Sequence, residues 1–146
     1  MAADPVFIDT NILVYATRPS APNHSAARVA LNRLEAEGAI LWISAQVLRE
    51  YLAVVTRAQV TAPALPMATA IADVRRFQSI FEVAYPGRGG LDRLLDLLAA
   101  GRGVGRQVHD ANIVATMLEF GIRRLLTFNA ADFHRFANLI ELVPLA

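Results

Sequence analysis

The chain has 146 residues with 14 basic and 13 acidic side chains, every basic one an arginine, for a formal net charge of +1; it has no cysteine. That excludes disulfides and cysteine-ligated zinc, and no apolar run approaches the roughly 18–20 residues that cross a bilayer. The length fits one domain over 1–146, and the opening MAADPVF lacks a basic-then-apolar leader, so the expected location is the cytoplasm.

Residues 5–9 are expected to form a short buried strand, and 22–38 an amphipathic helix with Ala26, Ala27, Ala30, Leu31 and Leu34 at helical spacing, stopped by Gly38. AILWI (39–43) predicts a second strand. Ser44 then caps the helix of 45–57, with Val47, Leu48, Tyr51, Val54 and Val55 as its apolar stripe. Pro63 and Pro66 break the chain, and Pro66 suits the first turn of a helix through 79. IFEVA (80–84) predicts a third strand, 85–90 a loop, 91–100 a helix, and 101–109 a flexible connection into a helix over 110–120 that Gly121 ends. RRLLTF (123–128) predicts a fourth strand, 129–136 a short capped helix, and LIELV (139–143) an edge strand. Strands alternating with helices predict an α/β domain around a mostly parallel sheet.

Within this pattern several acids sit where apolar residues or caps are expected. Asp9 ends the first strand, and Asn129 and Asp132 follow the fourth. Glu50 borders the buried stripe of its helix, and Asp110 precedes Ile113, Val114 and Met117. Each has an ordinary structural explanation: a turn or cap for Asp9, an ion pair with Arg49 or Arg57 for Glu50, an N-cap for Asp110, and a first-turn position for Asp132. In open parallel sheets, however, ligands bind outside the carboxyl ends of the strands. If the first and fourth strands are neighbours, all four acids face one crevice, although the sequence does not establish that adjacency.

Two carboxylates about 4 Å apart repel by roughly 4 kcal/mol at an effective dielectric of 20, so such a cluster requires protonation or a cation. Ligands that are all hard oxygens select Mg²⁺ or Mn²⁺, and the chemistry these ions support is in-line hydrolysis of a phosphodiester.

VFIDTNILVYA (6–16), ISAQVLREY (43–51) and VHDANIVATMLEFGIRRLLTFNAADF (108–133) together resemble the PIN-domain nucleases, and more narrowly the VapC toxins of bacterial toxin–antitoxin pairs. The resemblance implies a PIN-like three-layer fold, with a central sheet of four to five strands flanked by helices. It implies Asp9, Glu50 and Asp110 as metal ligands for Mg²⁺ or Mn²⁺, supported by Thr10, Asn11, Ser44 and Thr127. Many members place a fourth acid where this chain has Asn129. Asp132 fits the variant in which it comes slightly later, leaving one metal or two open. An RNA substrate in a tRNA or ribosomal RNA loop, a VapB-like antitoxin and a homodimer are also implied. The surplus of apolar residues, 55% of the chain, agrees with a partner chain.

Arg88, Arg102 and Arg106, set among glycines, are candidate RNA contacts, with plain loop chemistry as the alternative. His24, His109 and His134 raise a metal-free mechanism using two imidazoles, but His24 and His134 fall in surface segments. Trp42 is expected in the core. Other classes remain open: a phosphatase, which Asn11 disfavours because such sites want a second Asp there; a PIN nuclease that is not a toxin; and an inactive RNA- or partner-binding PIN module.

Overall fold

The computed structural model describes residues 4–59 and 62–146. Residues 1–3, part of the stretch taken to lack a leader, lie outside the described residues. In chain order the elements are β1 (Pro5–Ile8), α1 (Thr10–Ala16), α2 (His24–Ala36), β2 (Ile40–Ser44), α3 (Ala45–Val55), α4 (Met67–Ile80), β3 (Glu82–Ala84), α5 (Arg88–Ala99), α6 (Gln107–Glu119) and β4 (Arg124–Leu126). A 3-10 helix, Ala130–Phe136, and β5 (Glu141–Leu142) follow.

The five strands form one sheet in the order β3-β2-β1-β4-β5, all parallel. Val6, Phe7 and Ile8 of β1 are all 0% exposed, although successive side chains point to opposite faces. Both faces are therefore covered by helices, as a parallel sheet requires, which makes the expected three layers. The adjacency that the sequence left open is present: Phe7 pairs with Leu125 and Ile8 with Leu126, and the Asp9 amide continues the ladder to the Leu126 carbonyl at 3.0 Å. From β1 the chain order runs outward to β2 and β3 on one side and to β4 and β5 on the other. The end of β1 is thus the switch point, where a crevice opens.

Local chemistry explains the element ends. Ser44 caps α3, its Oγ accepting from the Val47 amide at 3.3 Å. Gly38 and Gly121 take the left-handed conformation (φ 80° and 71°) that turns the chain out of α2 and α6. After α6, the Ile122 amide closes back on the Met117 carbonyl at 2.8 Å.

Several boundaries differ from the sequence reading, which assigns α1 no range; α3 ends at Val55, and β4 and β5 are shorter than expected. Ile80 ends α4 and is exposed, so β3 begins only at Glu82. Helix α5 starts at Arg88, so Gly89 and Gly90 are helical; their missing side chains leave room for Glu119 of α6, the Oε1 of which would lie 3.3 Å from a Cβ on Gly89. Helix α6 begins at Gln107, the Oε1 of which accepts from the Val104 amide at 3.1 Å. Asp110 is therefore not an N-cap but stands at the fourth position of the helix, within its first turn. The segment after β4 is 3-10, and the Asn129 side chain makes no capping bond to it.

Candidate active site

Asp9 ends β1, caps α1 and is 6% exposed. Its Oδ1 accepts from the Thr10 amide at 2.8 Å. Its Oδ2 accepts from the Thr127 hydroxyl at 2.8 Å and from Asn11 Nδ2 at 3.2 Å. Asn11 also ties α1 to the end of β4, its Oδ1 accepting from the Phe128 amide at 3.1 Å. Thr127 Oγ1 in turn accepts from the Asn129 amide at 3.0 Å. The supporting roles expected of Thr10, Asn11 and Thr127 are thus direct contacts with Asp9, whereas Ser44 acts on the helix that carries Glu50. Burial nonetheless lifts the Asp9 carboxyl to about 6, and repulsion from Glu50 and Asp110 adds to it, against the opposing effect of these hydrogen bonds.

Glu50 projects from α3 and meets neutral donors only. The Thr10 hydroxyl donates to Oε2 and Gln46 Nε2 to Oε1, each at 2.8 Å. The ion pairs among the described residues are Arg33–Glu37 and Arg76–Asp73, so neither Arg49 nor Arg57 neutralises Glu50. Burial raises the Asp110 carboxyl, and Asp132 raises it further; Arg135 opposes this, and Glu50 adds to it.

Asp9, Glu50, Asp110 and Asp132 line one cavity of about 820 Å³, together with Asn129, Arg106 and His109. Four carboxylates from β1, α3, α6 and the 3-10 helix thus share one crevice at the switch point. Asp132 and Asn129 are both exposed at its rim.

The donor set suits a hard divalent cation. All four donors are carboxylates, and Asp9 and Asp110 are raised first by burial and then by repulsion from the neighbouring acids, both of which a cation would offset. Among the described residues no three acidic, imidazole or thiol groups already close on one point as ligands. A bound ion would draw the carboxylates inward or reach some through water, as Mg²⁺ commonly does.

The arginines depart most from expectation. Arg106 lines the cavity, but Arg88 does not; it opens α5. Arg102 is committed elsewhere: its Nη1 donates to the Arg135 carbonyl at 2.9 Å and to Asn138 Oδ1 at 2.6 Å, stitching the α5–α6 loop to the last helix. Arg18, Arg57 and Arg135, which sequence reasoning passed over, line the cavity instead. Gln46 was also passed over: from outside the cavity it holds Glu50, donates to the His109 carbonyl at 3.0 Å and accepts from Asn112 Nδ2 at 2.6 Å, bracing α3 against α6. The signal for it was its place one turn before Glu50 on the same helix face. His24 Nδ1 meets the Tyr15 carbonyl at 2.8 Å, and Trp42 packs against the core beside Phe120.

The PIN domain family model matches residues 6–139. Comparison with curated proteins gives no match. Among solved structures, the chain is similar to VapC20 of Mycobacterium tuberculosis, described as a sarcin-ricin loop cleaving toxin, with a TM-score of 0.69 at 20% identity over 95% of this chain and 99% of that one. It is similar to VapBC2 of Rickettsia felis, solved on a DNA fragment from its promoter, with a TM-score of 0.67 at 22% identity over 95% and 97%. VapBC-1 of nontypeable Haemophilus influenzae gives 0.68 at 18% identity over 97% and 98%.

Proposed function

From membership of the PIN domain family, to which this chain belongs, we infer that it is a VapC-type toxin: a metal-dependent endoribonuclease of the cytoplasm that hydrolyses RNA phosphodiester bonds and is held in check by a VapB-like antitoxin. The observation that carries the reading is the meeting of Asp9, Glu50, Asp110 and Asp132 in one crevice without a neutralising ion pair. The toxin–antitoxin part rests on the structural neighbours, which are VapC and VapBC structures. A homodimer and a target in an exposed tRNA or ribosomal RNA loop, where unpaired bases can be reached, complete the proposal. No helix among the described residues is long and apolar enough to cross a membrane.

Asp9, Glu50 and Asp110 would hold the cation, with Asp132 as outer support. When bound, Mg²⁺ or Mn²⁺ supplies Lewis acidity and charge neutralisation toward a phosphodiester. The chain's own part is positioning. Thr10, Asn11 and Thr127 fix both oxygens of Asp9, and Thr10 and Gln46 fix both oxygens of Glu50, so neither carboxylate is free to swing away. Arg106 and Arg135 at the rim oppose the charge of the acids and favour an incoming phosphate. Hydrolysis by water in this arrangement leaves 5′-phosphate and 3′-hydroxyl ends.

The test is cleavage of labelled RNA hairpins and of total RNA by the purified protein. Cutting is expected with Mn²⁺, absent with EDTA, and absent in a folded Asp9→Asn variant. Cutting that survives both EDTA and the substitution would refute the mechanism.

A further inference from the structure

The cavity has a second end that the carboxylates do not occupy. Arg18 follows α1, nine positions beyond Asp9, and Arg57 follows α3, seven positions beyond Glu50. At the helical rise per residue, α1 and α3 carry the chain roughly 7–11 Å from Asp9 and Glu50 before either arginine is reached. Arg18 is 6% exposed. Its Nη2 donates to the Val55 carbonyl in the last turn of α3 at 2.8 Å. Among the described residues its Nε and Nη1 have no hydrogen-bond partner, and no carboxylate pairs with it. A buried guanidinium left this way is costly, and its open donors call for an anion. Arg57 lines the same cavity and is exposed; among the described residues its guanidinium bonds the Ala53 carbonyl, through Nε at 3.1 Å. Between the arginines and the acids, Val14, Tyr15 and Val54 give the cavity an apolar wall.

Capping of the α3 carbonyls explains one Arg18 N–H and one from Arg57. It leaves the rest of both cations unexplained. We propose that this end is a second phosphate subsite: Arg18 and Arg57 receive a phosphate of the same RNA strand beyond the scissile one, with an intervening base against the Val14–Tyr15–Val54 wall. The proposal rests on the nuclease reading and adds which part of the substrate the crevice grips. An acidic peptide is the other anion that could seek the arginines. Continuity with the acidic end favours RNA, because a strand lying across that end reaches the arginines without leaving the crevice.

The test separates binding from cutting. An Asp9→Asn protein, with and without Arg57→Gln or Arg18→Gln, is titrated with a fluorescent RNA hexamer in EDTA at several KCl concentrations. Arg57 is exposed, so its variant is expected to melt like its parent; Arg18→Gln is interpreted only if it does too. Removing one phosphate contact should flatten the slope of log K against log salt by about 0.7, the single-strand value, and weaken binding several-fold. A dinucleotide, too short to reach the arginines, should bind all variants alike. Unchanged slope and affinity in Arg57→Gln would overturn the subsite and leave the nuclease reading intact. Failure of every protein to bind RNA would overturn both. A poly-glutamate peptide that depends on Arg57 while RNA does not would assign this end to a protein partner and overturn the proposal.

Discussion

Asp9→Asn should stabilise the metal-free protein at neutral pH. The Asp9 carboxyl titrates near 6 in the folded chain against 3.8 for its ordinary value. The folded state therefore holds this proton more tightly than the unfolded chain. Stability from that source is fully present below pH 3.8 and is lost as pH rises through about 6. The gap of about two pKa units corresponds to about 3 kcal/mol lost between pH 4 and 7 for a fully buried group. Asparagine carries no charge to lose, but it places an amide N–H₂ among donors already aimed at position 9, a mismatch of about 1–2 kcal/mol. The net expectation at pH 7 is a gain of about 1–2 kcal/mol, turning into a loss near pH 4, where the wild-type carboxyl is protonated. Urea melts in EDTA at several pH values measure the difference directly. Parallel pH profiles for the two proteins would refute the claim that burial strains this carboxylate. Adding Mn²⁺ should raise the melting temperature of the wild type and not that of the variant.

Gln46→Ala should lower metal affinity or activity by about 10–100-fold, the usual cost of removing a residue that orients a ligand; calorimetric Mn²⁺ titration beside a cleavage assay tests it. Thr127→Val keeps the shape but removes the hydroxyl that donates to Asp9, so the Asp9 carboxyl should rise above about 6 and the pH-dependent loss of stability should move upward with it. Gly90→Ala would put a Cβ 2.5 Å from Glu119 Oε2 and 2.9 Å from Pro86 Cβ. The glutamate can swing aside but the proline cannot, so denaturant melts should show a loss of about 1–3 kcal/mol. Phe7→Ala, at a fully buried position of the central strand, should cost about 3–5 kcal/mol by the same measurement.

What the sequence made legible followed from short-range chemistry. Period and caps located the helices, and the odd placing of Asp9 after three apolar residues marked the site. What it hid was set by contacts far apart in the chain. The pairing of β1 with β4, which brings Thr127 to Asp9 across 118 positions, has no local signature. Helix α5 starts three residues early, and its Gly89 and Gly90, read as loop glycines, lie where Glu119 of another helix needs the space. The surroundings of the arginines were hidden for a related reason. Glycine neighbours suggested a mobile loop around Arg102, yet its guanidinium donates to the Arg135 carbonyl and to Asn138 Oδ1. The contact of Arg18 with the Val55 carbonyl likewise spans 37 positions.

The charge balance of the crevice is the physical ground for proposing a cation there. Asp9 caps α1, and Asp110 lies in the first turn of α6, where helix dipoles favour negative charge. Asp9 also accepts three hydrogen bonds, an arrangement that alone would hold a carboxyl below its ordinary value. It is instead raised to about 6, so desolvation and the neighbouring acids outweigh both effects. The fold fixes this carboxylate firmly and leaves it strained. Three hydrogen bonds have not relieved it, and Oδ1, which accepts only one of them, keeps a lone pair for another partner. Positive charge brought in from outside would relieve it, and on the reading proposed above a divalent ion would deliver it to Asp9, Glu50 and Asp110 together. An arginine could neutralise one of the three but would fill the space a phosphodiester needs.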